Sequence, residues 1–257
     1  MATFLFDEII FGPVKSRRLG VSLGVNLLPE DYKFCTYDCL YCECGWTLDK
    51  QKVKLHNRQE IANALEHKLN EMNAAGEFPD NITFAGNGEP TIHPEFEAII
   101  KDTIALRNKY FPKALISVLS NATQIHKQSV VNALKSVDQN ILKLDTAIDA
   151  TYKIINQPKT HIDVETLVNR LKIFDGELII QTMFIRGEFN GEKFDNTTDL
   201  EVGEWLKLLQ KIKPKEVMIY SIARDTPLEG LEKISADKLQ EIGQKVEIIG
   251  LGVKVYS

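Results

Sequence analysis

All four cysteines of this chain lie within ten residues, and that clustering limits what the protein can fold around. They are Cys35, Cys39, Cys42 and Cys44. A secreted domain stapled by disulfides spreads its cysteines so that bridges join distant segments. Four thiols in one short stretch instead favour a metal centre or a redox site in a reducing compartment. The fold therefore has to present one loop that carries a set of soft ligands.

Around this loop, apolar segments rich in β-branched residues alternate with segments of helical periodicity. Six strand–helix pairs in strict alternation predict a parallel sheet whose connections are helices. Six pairs are too few for a closed eight-stranded barrel, so an open three-quarter barrel and a doubly wound sheet are the alternatives. The predicted strands are 21–28, 81–86, 114–120, 140–147, 177–185 and 216–222, with a short terminal strand at 253–256. The predicted helices are 59–72, 94–110, 127–137, 164–174, 199–212 and 236–246.

Length and charge narrow the class further. α/β barrels of about 200–250 residues are single domains, so we expect one domain over all 257 residues. The formal charge is −5, from 31 basic and 36 acidic side chains, which disfavours a dedicated nucleic-acid binder. A run of about 18 apolar residues, as a membrane span requires, does not occur, and the acidic start lacks the positive region of a signal peptide. We expect a cytoplasmic protein with no membrane partner.

The first three cysteines stand in a CxxxCxxC spacing. Three thiolates this close can wrap one corner of a compact cofactor, and soft sulfur selects iron–sulfur clusters or zinc. A [4Fe–4S] cluster on three cysteines keeps one iron open to a small molecule that chelates through an amine and a carboxylate. The competing interpretation is a structural zinc site of all four cysteines. For that site the short step from Cys42 to Cys44 is an awkward spacing.

The motif CxxxCx(aromatic)C, with Tyr41 as the aromatic residue, resembles the signature of the radical S-adenosylmethionine (SAM) superfamily. The resemblance implies an α/β fold, an open (β/α)6 partial TIM barrel, with one [4Fe–4S] cluster on Cys35, Cys39 and Cys42. It implies that SAM binds the open iron and that an external one-electron reductant of flavodoxin or ferredoxin type supplies the electron. SAM is then cleaved to a 5′-deoxyadenosyl radical, which removes hydrogen from the substrate. Cys44 is a bystander or an accessory thiol in this scheme.

A second motif follows the second predicted strand. The segment Gly86-Asn87-Gly88-Glu89-Pro90, called the glycine motif below, is similar to the Gly-Gly-Glu-Pro motif of the same superfamily. Small residues let the backbone approach the methionine ammonium of SAM, and Glu89 is the predicted acceptor for it. Polar residues at the carboxyl ends of barrel strands hold ligands. The resemblance also implies that further residues contact the cofactors: Tyr41, Ser120, Asn121, Asp145, Gln181 and Arg224. For the polar residues of this set, a helix cap or a surface ion pair is the alternative role.

The amino-terminal segment 12–24 (GPVKSRRLGVSLG) resembles the start of a wyosine-synthase-like subgroup, which contains tRNA-modifying enzymes and iron–sulfur oxidoreductases. We expect residues 1–20 to pack on the barrel as an extension and residues 29–56 to form the cysteine loop. Lys15, Arg17 and Arg18 either contact a substrate phosphate or pair with acidic neighbours and buttress the barrel. The second role is the favoured one.

The predicted function is a radical SAM enzyme acting on a tRNA base, a glycyl-radical partner protein, or a small metabolite or peptide. The negative charge disfavours tRNA, and so does the lack of further cysteines for the second cluster that wyosine synthases carry. The alternative from a different class is a non-catalytic zinc or iron–sulfur binding protein with a regulatory or assembly role.

Overall fold

The computed structural model describes residues 4–48, 53–224 and 226–257. Its strands are β1 (Ile10–Ser16), β2 (Gly20–Val25), β3 (Asn81–Phe84), β4 (Leu115–Ser120), β5 (Gln139–Lys143), β6 (Ile179–Met183), β7 (Ile185–Phe189), β8 (Glu192–Asp195), β9 (Glu216–Tyr220), β10 (Glu232–Lys233) and β11 (Val253–Tyr256). Its helices are α1 (Arg58–Ala75), α2 (Phe96–Tyr110), α3 (Gln128–Ser136), α4 (Asp149–Asn156), α5 (Val164–Leu171), α6 (Asp199–Ile212) and α7 (Ala236–Ile248). Two short 3-10 helices lie at Pro90–Ile92 and Lys172–Phe174. No helix in these ranges is long and apolar enough to cross a bilayer.

One large sheet organises the molecule, with the strand order β1-β2-β3-β4-β5-β6-β9-β11. The strands from β2 to β11 in this order run parallel, and β1 pairs antiparallel with β2. Helices connect the parallel strands because each parallel crossover needs a return of helical length. The sheet curls into an open half-barrel, so the predicted open (β/α)6 partial barrel is confirmed.

The two faces of the sheet pack differently. The outer face lies under the helices, and its residues Leu142, Ile180 and Ile219 are fully buried, as a parallel sheet covered on that side requires. The concave face carries a small apolar layer instead. Its members are Ile141, Ile179 and Met218, contacted by Leu19, Leu119 and Tyr256. The polar residues of interest lie beyond this layer, toward the carboxyl ends of the strands.

Two regions depart from the predicted elements. The predicted strand 177–185 is split into β6 and β7, because the buried Asn196 side chain accepts from the Ile185 amide (2.9 Å) and donates to the Met183 carbonyl (2.8 Å). β7 then pairs with β8 and β10 in a small antiparallel sheet. Helix α4 occupies a stretch without a predicted helix, since its 8 residues are too few for a clear helical period.

The amino-terminal segment joins the sheet. Strand β1 lies within the predicted extension 1–20, and the Phe11 ring occupies the space that a Cβ at Gly24 would fill. In the predicted cysteine loop, 29–56, the described residues form no regular helix or strand. Residues 1–3 and 49–52 of these two predicted segments lie outside the described residues.

Trp205 anchors α6 to the strand ends, and this contact can be tested. Its side chain is 1% exposed, packs edge-on against Phe184 and donates from Nε1 to the Leu144 carbonyl (3.2 Å). We expect Trp205→Ala to lower the free energy of unfolding by about 3–5 kcal/mol, as deletion of a buried aromatic does. Leu200→Ala, in the same helix but 67% exposed, is the matched control, with a change below about 0.5 kcal/mol. Denaturant titration measures both, and equal losses would refute the anchoring role.

Candidate functional site

The cysteine loop is paired with the glycine motif through backbone contacts. Phe34 forms a parallel bridge with Gly88. The Phe34 amide donates to the Asn87 carbonyl (2.8 Å), and the Glu89 amide donates to the Phe34 carbonyl (3.1 Å). Gly88 has φ 141°, and a Cβ there would overlap the Phe34 carbonyl oxygen. The glycine is therefore required by a close backbone approach, which places Cys35 next to the motif.

Asn87 and Asn26 fix the position of the glycine motif through side-chain contacts. The Asn26 Oδ1 accepts from the Asn87 amide (3.2 Å), and a Cβ on Gly86 would lie 2.5 Å from the same oxygen. The Asn87 side chain is fully buried, accepts from the Phe6 amide (2.9 Å) and donates to the Phe6 and Pro29 carbonyls (both 2.8 Å). Its side chain is therefore occupied by protein partners, as is its amide, and its carbonyl accepts from the Phe34 amide.

Two side-chain amides and one backbone amide point at the cysteine sulfurs. The Tyr37 amide donates to Cys35 Sγ at 3.4 Å, and Asn121 Nδ2 donates to the same sulfur at 3.6 Å. Asn156 Nδ2 donates to Cys39 Sγ at 3.5 Å. Donors around sulfur favour the thiolate form and tune any metal centre that it binds. These contacts are compatible with the predicted role of Cys35 and Cys39 as metal ligands.

A buried lysine supplies positive charge beside the cysteines. The Lys33 side chain is 1% exposed, and its Nζ donates to the Gly45 carbonyl (2.9 Å) and to Asp38 Oδ1 (3.3 Å). Burial acts to lower the pKa of Lys33, but the surrounding negative charges outweigh it and raise the pKa overall. Those charges come from Cys42, Cys35, Cys39 and Asp38. A cation is thus fixed where thiolate charge would accumulate.

The thiols differ in their acidity. Burial raises the pKa of Cys39 to about 11 and raises that of Cys35 further. A hydrogen bond from the Cys44 thiol lowers the pKa of Cys42 to about 6, against the effect of burial. The Cys44 thiol also lies 3.4 Å from the Gly86 carbonyl oxygen. Cys44 therefore faces both a predicted ligand and the glycine motif, a placement that its position in the sequence does not reveal.

Glu89 joins the glycine motif to the end of β4. Its carboxylate is 2% exposed, and Oε1 accepts from the Thr91 amide (3.1 Å), the Thr91 hydroxyl and the Ser120 hydroxyl (2.8 Å). Oε2 accepts from the Asn121 amide (2.6 Å). Burial raises the pKa of Glu89, although these hydrogen bonds act to lower it. Ser120 and Asn121 therefore contact Glu89 directly, and Oε2 keeps a lone pair for a further donor.

Asp145 joins the cysteine loop to α4. Its side chain is fully buried, and Oδ2 accepts from the Tyr41 hydroxyl and from Asn156 Nδ2 (2.7 Å). Oδ1 accepts from the Met183 amide (2.8 Å) and lies 3.4 Å from Lys143 Nζ. The carboxylate is thus compensated on every side, which is what burial of a charge requires. The structure brings the predicted residues Tyr41 and Asp145 together.

Three other predicted residues have contacts that do not involve a cysteine side chain, although the partner of Arg224, Glu43, stands between Cys42 and Cys44. Pro90 begins a 3-10 helix that Glu89 caps. Gln181 lies on the concave face of β6, where its Oε1 accepts from the Tyr220 hydroxyl (3.2 Å). The Arg224 side chain is 70% exposed and forms a surface ion pair with Glu43 (2.8 Å). Their cofactor contacts stay predictions.

Sequence reasoning missed three residues that the structure places at the site. Asn156 lies on a helix whose position no local pattern gives. Lys33 stands two residues before Cys35, and a buried lysine has no sequence signature of its own. Lys143 is the one missed residue with a usable signal in the sequence. It stands two residues before Asp145 on a predicted strand, and residues at that spacing share a face of the sheet.

Among the residues that the structure describes, no group of three or more His, Cys, Asp or Glu side chains surrounds one point as the ligands of a single metal ion do.

Comparison with known proteins identifies the family. The profile described as "Radical SAM superfamily" matches residues 30–201. The chain is 30% identical over 236 residues to a protein of Brachyspira hyodysenteriae named GTPase Obg, covering 90% of this chain but 32% of that protein. It is also 30% identical over 258 residues to UPF0026 protein MJ1312 of Methanocaldococcus jannaschii, covering 94% of this chain and 75% of that protein. The chain thus spans about a third of the first relative, and the Gly-Lys step of a phosphate-binding GTPase loop is absent from its sequence.

The fold is similar to that of a radical SAM methyltransferase from Sphaerobacter thermophilus, with a TM-score of 0.68 and 15% identity over 91% of this chain and 65% of that chain. The chain belongs to the radical SAM superfamily and, within it, to the UPF0026 proteins. It is an enzyme of the radical SAM type, and its superfamily implies a [4Fe–4S] cluster and SAM as cofactors. The predictions of family, fold and enzyme class are confirmed.

The Phe34–Gly88 contact predicts a position-specific effect of a single methyl group. Gly88→Ala places a Cβ against the Phe34 carbonyl, whereas Gly191→Ala meets no atom within 4 Å. Both glycines have positive φ (141° and 83°), so both variants carry backbone strain and only the first adds a clash. We expect Gly88→Ala to lower the free energy of unfolding by about 1–3 kcal/mol more than Gly191→Ala, as overpacking does. Equal losses in denaturant titrations would show that the loop does not depend on this contact.

Proposed function

We propose that Cys35, Cys39 and Cys42 hold one [4Fe–4S] cluster and that the enzyme cleaves SAM reductively. When bound, the cluster and SAM would together supply a 5′-deoxyadenosyl radical that removes hydrogen from a substrate, with the one electron for SAM cleavage coming from an external reductant. The observation that carries the proposal is the backbone pairing of Phe34 with Gly88, because it sets Cys35, the first residue of the cysteine motif, beside the glycine motif.

The donor set fits such a cluster. Soft thiolates are the ligands of iron–sulfur centres, and Asn121 and Asn156 direct N–H groups at two of the sulfurs. The buried charge of Lys33 offsets part of the negative charge that three thiolates bring. These contacts are of the kind that orient ligands and tune a metal centre from outside its coordination sphere.

We assign the methionine end of SAM to the glycine motif. Gly86 and Gly88 adopt φ of 135° and 141° and pack against Asn26 and Phe34, which fixes the course of the motif's backbone. The Glu89 Oε2 accepts one amide hydrogen, which leaves it an acceptor for an ammonium. In this assignment Ser120 and Asn121 are positioning residues, since they hold the Glu89 carboxylate at the end of β4.

Tyr41 and Asp145 have a different role in the proposal. The hydrogen bond between them ties the cysteine motif to the end of β5, and Asn156 closes the same contact from α4. We infer that they exclude water from the cluster side of the barrel and keep the loop from opening. Both side chains are at least nine-tenths buried, with exposures of 8% for Tyr41 and 3% for Asp145.

Radical SAM enzymes generally take their electron from an external donor. We propose a flavodoxin or ferredoxin type of reductant for this one, acting in the cytoplasm. The inference of a reducing compartment rests on four cysteines that stand as free thiols, three of them predicted metal ligands.

The function is tested by anaerobic reconstitution with iron and sulfide, followed by reduction in the presence of SAM. We expect a brown protein with about four irons per chain that forms 5′-deoxyadenosine and methionine. A colourless protein that holds one zinc and leaves SAM intact would refute the proposal and support the non-catalytic alternative.

Two cysteine variants test, in the same experiment, which cysteines hold the cluster. Cys39→Ser removes a ligand that Asn156 supports, so we expect loss of the iron and of SAM cleavage. Cys44→Ser is the matched control, two residues past the last predicted ligand, and should keep both. Iron content and visible absorbance separate the outcomes, and loss of the cluster in Cys44→Ser alone would overturn the three-ligand assignment.

A further inference from the structure

A polar chain of side chains crosses the concave face of the sheet just beyond its apolar layer. Lys143 on β5 and Gln181 on β6 are register partners, and Tyr220 lies on the next strand, β9. Lys143 Nζ donates to the Tyr220 hydroxyl (2.8 Å), and that hydroxyl donates to Gln181 Oε1 (3.2 Å). Because the Gln181 oxygen is used in this way, its Nε2 group is left as a donor.

Arg18 reaches the same place from the turn between β1 and β2. Its guanidinium carbon lies 4.4 Å from the centroid of the Tyr220 ring. The next residue, Leu19, packs on the apolar layer of the concave face. The basic segment of the amino-terminal motif therefore enters the half-barrel through Arg18. Arg17 does not, since it is exposed and donates to the Ser257 carbonyl (2.8 Å).

Two donors of this group are buried without a protein partner. Within the described ranges neither Arg18 Nη1 nor Gln181 Nε2 has an acceptor, although Gln181 is only 7% exposed. Buried donors are almost always paired, and one that is not points to a partner outside the protein. Lys143 adds an ammonium with three N–H groups, and Tyr220 and Asp145 occupy two of them.

The charge of the group is positive. Arg18 and Lys143 bring two cationic groups, and Asp145, 3.4 Å from Lys143, brings one carboxylate that also accepts from Tyr41 and the Met183 amide. The open positions are all donors, which suits a ligand made of acceptors. Guanidinium, ammonium and amide groups together match the oxygens of a carboxylate or a phosphate.

We propose that Arg18, Lys143 and Gln181 bind an oxyanion, a carboxylate or phosphate, of the substrate. The proposal rests on the function proposed above and adds the chemical class of the substrate to it. Lys143 Nζ lies 4.9 Å from the centroid of the Tyr41 ring, which belongs to the cysteine motif. An anionic group held here anchors one end of the substrate inside the half-barrel, and the remainder extends toward the cysteine loop.

The test is anion binding to the reconstituted protein with SAM present in excess. Inorganic phosphate and acetate are titrated separately by calorimetry at constant ionic strength, and the stronger binder identifies the type of oxyanion. We expect Arg18→Gln to weaken binding by at least about tenfold, as loss of a charge-assisted hydrogen bond does. Arg17→Gln removes the same charge one residue away and is the matched control, with a change of less than about twofold for an exposed charge.

A second variant guards against a folding defect. Gln181→Glu keeps the shape of the side chain and its acceptor for Tyr220, but it supplies the two cations with an internal carboxylate. We expect this variant to keep the melting temperature of the wild type and to lose anion binding. Anion binding equal to that of the wild type would overturn the proposal.

Three other outcomes also decide the matter. Equal weakening in Arg17→Gln and Arg18→Gln would show a general charge effect. No anion binding by the wild type, with SAM or without it, would assign the buried donors to water. Anion binding that occurs without SAM and disappears in its presence would assign the site to the cofactor carboxylate. Each of these overturns the inference while SAM cleavage by the wild type still stands, whereas absence of SAM cleavage overturns the proposed function itself.

Discussion

Two backbone hydrogen bonds hold Phe34, one residue before the first cysteine, against the glycine motif. The described part of the cysteine loop has no regular helix or strand, so its position depends on such contacts with the barrel. The approach is close enough that Gly88 must lack a side chain, and its φ of 141° favours glycine as well. The close approach of the Phe34 and Gly88 backbones thus fixes the position of Cys35 relative to the glycine motif.

Buried charged side chains position the remaining parts of the site. Glu89 and Asp145 are 2% and 3% exposed, and each accepts hydrogen bonds from two separate parts of the fold. A carboxylate in such surroundings is tolerated only when its oxygens are paired. Glu89 therefore links β4 to the glycine motif, and Asp145 links α4 to the cysteine motif, where the Leu40 amide also donates to the Ile155 carbonyl (2.9 Å). Lys33 makes the corresponding link within the loop, to Gly45 and Asp38.

The sequence predicts the parts of this molecule that local patterns encode. Strands and helices of the half-barrel follow from alternating periodicities, and the cysteines and glycines follow from fixed spacings. Edge strand β1 is missed because it is mostly exposed and contains Gly12 and Pro13, which are turn signals in a sequence. Helix α4 is missed because its 8 residues are too few for a clear helical period. In the site, too, local motifs predict which residues take part, whereas their contacts with distant residues come from the fold. Tyr41 was predicted to touch the cofactor from its motif position, but its hydroxyl contact with Asp145, 104 residues away, comes only from the fold. The basic segment predicts either a phosphate contact or a buttressing role for Arg18, and only the fold shows that its guanidinium lies over the ring of Tyr220.

The central claim is that three cysteines hold the cluster and that SAM takes its remaining position. The most direct measurement is the electron paramagnetic resonance spectrum of the reduced, iron-loaded protein, recorded with and without SAM. The account predicts that SAM changes the g-values of the cluster signal, and that it does so equally in the wild type and in Cys44→Ser. A signal that ignores SAM in the wild type but responds to it in Cys44→Ser would show that Cys44 occupies the fourth position, and would contradict the account.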